Sequence, residues 1–173
     1  MYNLQINIKL NFFYISNYMS LIDEAISLSL NAIIISPFLL YSYTKDSRWL
    51  YISLFSFTNI QIHDLIKLVS LKYNYEFLKR PIGAMNCDIF CRDGLVEGKP
   101  GFPSGHVTST VSLFTGIALL FPEYRNYAII GGTIYTLLMA ISRVNKKCHT
   151  PLQTVAGASL GLIGTYLLQK YIK

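Results

Sequence analysis

"PGFPSGHVTSTVSLFTGIALLF", residues 100–121, sets a tight turn directly against an uninterrupted apolar run. From Val107 to Phe121 there is no charged side chain, and Pro122 closes the run. A helix over 105–121 follows, since proline cannot continue one. Two readings of its entrance compete. Pro103, Ser104 and Gly105 are loop punctuation with His106 at the cap, or the turn grips an anion with backbone N–H groups at a helix N-terminus.

The rest of the chain resembles this stretch in character. It has 173 residues, 52% hydrophobic and 14% charged, where soluble domains carry about 25% charged residues. That composition fits a small membrane protein of one domain, spanning 1–173. The net charge of +6 raises nucleic acid as a partner. No basic stripe interleaved with aromatics accompanies it, so nucleic acid is not expected.

A spanning helix needs about 20 mostly apolar residues. Five segments qualify: 24–43, 49–69, 105–121, 126–142 and 154–172. The expected fold is therefore all-α, a multi-spanning transmembrane helical bundle. Pro37 is expected to kink the first helix. Gly157, Gly161 and Gly164 suit close helix contact in the last. The N-terminal twenty residues do not read as a removable signal peptide. They leave room for a short interfacial helix, although Leu4, Ile6, Ile8 and Leu10 repeat nearer to two than to 3.6.

One long polar loop, 70–103, separates the second and third spans, and loops of that length are usually functional. Five spans put it on the same side as the 143–153 loop. Three cysteines, Cys87, Cys91 and Cys148, make an odd set. Cys87 and Cys91 are near enough to bridge or share a metal, but no zinc-type pattern completes a site, and free thiols are the expectation.

Ionisable residues inside spans need a reason. His63, Asp64 and Lys67 lie near the loop end of the second span; Asp64 and Lys67, three apart, can pair on one helix face, or Lys67 can point into a site. His106 opens the third span, and Arg143 and His149 follow the fourth. Two histidines and several cations on one face support phosphoryl transfer. Arginine forks and backbone N–H groups bind phosphate oxygens. One imidazole attacks phosphorus and the other protonates the departing oxygen. No metal or other cofactor is required when the cations are the protein's own.

Three segments carry a resemblance: "KYNYEFLKRP" at 72–81, "PSGH" at 103–106 and "SRVNKKCHTPLQ" at 142–153. Over residues 50–170 the chain resembles the type 2 phosphatidic acid phosphatase and vanadium haloperoxidase superfamily. That family orders a lysine, six residues and Arg-Pro; then Pro-Ser-Gly-His; then Ser-Arg, five residues, histidine, three residues and aspartate. The resemblance implies His149 as the nucleophile that becomes phosphohistidine and His106 as general acid, then base. Arg80 and Arg143 would clamp phosphate oxygens, assisted by Ser104 and the Gly105 N–H. Lys72 would be the cation of the first signature.

Two departures stand out. Seven residues separate Lys72 from Arg80, so Lys67 or Lys79 are alternatives. Gln153 stands where the family has aspartate. It can accept the Nδ1–H of His149 but brings no charge, so a slower enzyme is expected, or another acid such as Asp93 in its place. "HTPLQTVAG" is similar to the dolichyl diphosphate phosphatase branch, which implies a polyprenyl diphosphate.

The expected function is that of an integral membrane lipid phosphatase acting on a lipid phosphate or polyprenyl diphosphate. A non-catalytic lipid-binding relative and a lipid phosphotransferase are the alternatives. A haloperoxidase disagrees with the spans. Cation count would place the site in the cytosol, whereas related enzymes often face the lumen or exterior.

Overall fold

The computed structural model describes residues 21–172, so the N-terminal interfacial helix considered above lies outside the described residues. Five helices make the bundle: α1 (Leu30–Thr44), α2 (Ser47–Ser70), α3 (Gly105–Leu120), α4 (Arg125–Asn145) and α5 (Pro151–Ile172). A helical stretch at 21–28 extends α1 into an apolar rod, Leu21–Thr44, of 24 residues. At 1.5 Å per residue that rod is about 36 Å long, enough to cross a bilayer core of about 30 Å. Pro122–Asn145 is equally long and somewhat less apolar; among the described residues these two of the five expected spans are long and apolar enough to cross, and Gly105–Leu120 is a shorter apolar helix.

Local chemistry sets the helix ends away from the site. Lys45 takes a left-handed conformation at φ 58° and closes α1. Asp46 then caps α2, its side chain accepting from Arg48 N at 2.9 Å. Arg48 also pairs with Glu123 and lies 4.0 Å over the Phe121 ring. These contacts tie both turns of that rim together.

The central helix is α3, packed against α1, α2, α4 and α5. Its inward residues are mostly small and polar: Thr108, Ser109, Thr110 and Ser112 are buried. Hydroxyls satisfy themselves on nearby carbonyls, as Thr108 Oγ1 does on Ser104 O at 2.9 Å and Gly157 O at 3.1 Å. Small residues allow this closeness. A Cβ on Gly157 would stand 2.5 Å from Ser104 O, and one on Gly161 2.6 Å from Thr108 O. Helix α5 therefore lies directly against the backbone of α3.

Large apolar side chains point outward instead. Leu39, Phe57, Ile130 and Val155 are each 60% exposed or more. Water would oppose such a surface, and lipid tails would not. Apolar clusters centred on Leu30, Val107 and Met139, and on Ile52, Leu113 and Phe121, fill the interior.

The 71–104 segment is not an open loop. A 3₁₀ turn at Glu76–Leu78 and isolated bridges Lys79–Pro100 and Met85–Leu95 fold it into a cap over one end of the bundle. Cysteine pairing departs from the expectation of free thiols. Cys87 and Cys148 form a disulfide across 61 residues, in an apolar cluster with Ala84 and Val96, and Cys91 is the free one. Sequence proximity favoured Cys87 with Cys91. The folded cap instead seats Cys87 over the α4–α5 loop.

Candidate active site

All three histidines of the chain line one cavity of about 440 Å³ beneath the cap. His63 comes from α2, His106 from the first turn of α3, and His149 from the loop before α5. Lys67, Arg80, Asp93 and Gly105 share the wall, and Leu30, Ile34 and Ile60 add an apolar side to it.

His149 is fixed by its Nδ1, which is 2.8 Å from Gly101 O and 3.2 Å from Gln153 Oε1. Both neighbours are acceptors, so Nδ1 carries the proton and Nε2 keeps its lone pair. Burial, and then the charges of Arg80, Arg143 and Lys67, push the pKa of His149 well below the ordinary histidine value. That favours the neutral ring, with Nε2 free of the proton.

Gln153 has a second task. Its Nε2 donates to Lys79 O at 2.7 Å and Phe77 O at 3.0 Å, while Oε1 also takes the Thr150 N–H at 3.2 Å. One fully buried amide thus joins the cap, the histidine loop and α5. An aspartate could offer only the acceptor half. Asp93 does not replace it, because its Oδ1 accepts from Cys87 N at 2.5 Å.

Each arginine is tethered at one end. Arg80 Nη1 donates to Cys148 O at 2.8 Å, and burial lowers its pKa. Arg143 is fully buried, with Nη1 on Ser27 Oγ at 3.0 Å and Nη2 on Cys87 O at 2.5 Å. Its Nε has no partner, nor do His63 Nε2, His106 Nε2 and Ser104 Oγ, all buried. Buried polar atoms are normally paired; of these residues His63 and His106 line the cavity, while Arg143 and Ser104 are not among its lining residues. Ser104 precedes α3 without capping it by its side chain, and its N–H goes to Gln153 O at 2.9 Å.

Lysines sort differently from the spacing argument. Helix α2 continues to Ser70, which puts Lys67 on the cavity wall beside Arg80. Lys72 lies past the helix end, in a turn, and lines a separate pocket with Asn74 and Gly98. Lys79 pairs with Glu76 at 2.7 Å. Of the two alternatives for Lys67, the structure has it on the cavity wall, and Asp64 pairs with His63 instead, at 2.9 Å between Oδ1 and Nδ1. His63 is the site residue that motif reasoning passed over. Its signal was an ionisable residue inside a span.

A cap, a five-helix bundle and two imidazoles set among guanidinium groups define a class, and the chain belongs to the PAP2 superfamily, which it matches over residues 37–173. Among particular relatives, the lipid A 1-phosphatases of Rhizobium etli and Rhizobium johnstonii are each 36% identical over 92 residues, 49% of this chain. The matched stretch spans 38% and 36% of those proteins, so the chain covers less than two fifths of their length. The transmembrane PAP2 type phosphatidylglycerolphosphate phosphatase from Bacillus subtilis superposes with a TM-score of 0.65 over 92% of this chain and 77% of that one, at 21% identity. The bundle is accordingly that of a transmembrane PAP2 protein.

Proposed function

We propose that this chain is an integral membrane phosphatase that removes phosphate from a lipid through a phosphohistidine on His149. What carries the reading is the convergence of His149, His106, Lys67 and Arg80 on one cavity whose wall also includes the apolar Leu30, Ile34 and Ile60. Nε2 of His149 attacks phosphorus as the bond to the lipid oxygen breaks. His106 gives a proton to that oxygen, then takes one from the water that cleaves the phosphorus–nitrogen bond. Lys67, Arg80, the Arg143 Nε–H, Ser104 and the Gly105 N–H hold the non-bridging oxygens. Lys67 takes the role that spacing gave to Lys72. Lipid tails rest against Leu30, Ile34 and Ile60.

Gln153 is compatible with turnover because Gly101 O already orients the ring. The Cys87–Cys148 disulfide supports a cavity that faces an oxidising compartment, since cytosolic thiols are kept reduced.

Phosphate release by detergent-purified protein tests the reading. Lipid A 1-phosphate, phosphatidylglycerol phosphate, phosphatidate and polyprenyl phosphates and diphosphates form the screen. At least one should be hydrolysed, and His149→Ala should abolish the activity. An His149→Ala protein that turns over near the parental rate would refute it.

A further inference from the structure

His63 belongs to none of the three signatures, yet it is 5% exposed and lines the same cavity as His106 and His149. Its ring stands against the phosphate-binding turn. A Cβ on Gly105 would come within 2.9 Å of His63 Cε1 and Nε2. Packing alone does not account for the residue. A phenylalanine or leucine would fill the space without burying a nitrogen, and His63 Nε2 is buried with no hydrogen bond of good geometry, the Pro103 carbonyl being the nearby acceptor. Its other nitrogen is engaged by Asp64 Oδ1 at 2.9 Å. The acid–histidine pairing that Gln153 denies to His149 is present on this ring instead.

Resting on the phosphate site described above, we propose that His63, held by Asp64, is a phosphate ligand whose Nε2–H donates to a non-bridging oxygen. The Asp64 carboxylate takes the Nδ1–H. An arriving phosphate draws a proton from solvent onto Nε2, and the imidazolium then bridges two anions. No covalent bond changes. Lys67 from the same helix and His106 from α3 face the same oxyanion. His63 adds a second donor from α2, beside Lys67, to those of the cap and α3.

Binding of inorganic phosphate and orthovanadate, read by thermal shift and titration calorimetry, tests this without turnover. His63→Phe preserves the ring's volume and should weaken both anions by about tenfold or more, the usual loss for a charge-assisted hydrogen bond. Its elution profile should match the parent's. Asp64 is largely exposed, so Asp64→Asn provides a variant that folds, with an expected weakening of about threefold to tenfold. Parental anion affinity in either folded variant overturns the proposal, as does a parent that binds neither anion. A parent that cleaves no lipid phosphate but binds phosphate through His63 refutes the phosphatase reading alone. Lipid hydrolysis with His63→Phe at parental affinity refutes this one alone.

Discussion

Cys87 and Cys148 are joined in a disulfide, and the backbone carbonyl of each accepts from one of the two site arginines. Arg143 is held by Cys87 and Arg80 by Cys148. The bridge therefore sets the separation of two guanidinium groups that have no contact with its sulfurs. Cys148→Ser should cost about 2–4 kcal/mol, the usual worth of a disulfide. It should also raise KM more than a stability loss would explain. Melting curves and kinetics with and without reductant check both. Reduced parent that keeps its KM would mean the arginines are placed without the bridge.

Placing a carboxylate at residue 153 should hurt rather than help. Gln153→Glu keeps the length and adds charge but removes the donor to Lys79 O and Phe77 O. Leaving two buried carbonyls facing a carboxylate should cost about 1–3 kcal/mol or more and lower kcat. A Gln153→Glu protein with faster turnover would establish charge as the missing element.

Helix α5 approaches the Pro-Ser-Gly-His turn through Gly157. Gly157→Ala would drive its Cβ into Ser104 O, which is backbone and cannot yield cheaply. A loss of about 1–3 kcal/mol is expected, together with weaker phosphate binding. Gly131→Ala is the matched control, as nothing lies within 4 Å of its added Cβ. Equal melting temperatures for the two variants would disprove the close approach.

Acid should weaken the fold through His149. Its native pKa is depressed by burial and nearby cations, while the unfolded value is about 6.5. Below that pH the unfolded chain binds a proton that the native ring refuses. Stability thus rises with pH up to about 6.5 and is flat above it, with a slope of at most about 1.4 kcal/mol per unit from this ring. His149→Gln should melt with a shallower dependence between pH 7 and 5. An unchanged slope would show that the ring is free to charge in the native state.

Much of this protein was legible in one dimension. Apolar segments, Pro122 and the Pro-Ser-Gly-His turn determined a helical bundle with His106 at a helix entrance, because helix periodicity and termination act over a few residues, although only two of the five expected spans are long and apolar enough to cross a bilayer among the described residues. The same is true of His149, four residues before Gln153. Only the tertiary structure decided which lysine reaches the cavity, which cysteines pair, and that His63 turns toward the phosphate turn. Those outcomes depend on how far α2 continues and on how the cap folds over the α4–α5 loop. Contacts between residues sixty or more apart, such as Cys87 with Cys148 or Gln153 with Lys79, arise from packing, and no local pattern encodes them.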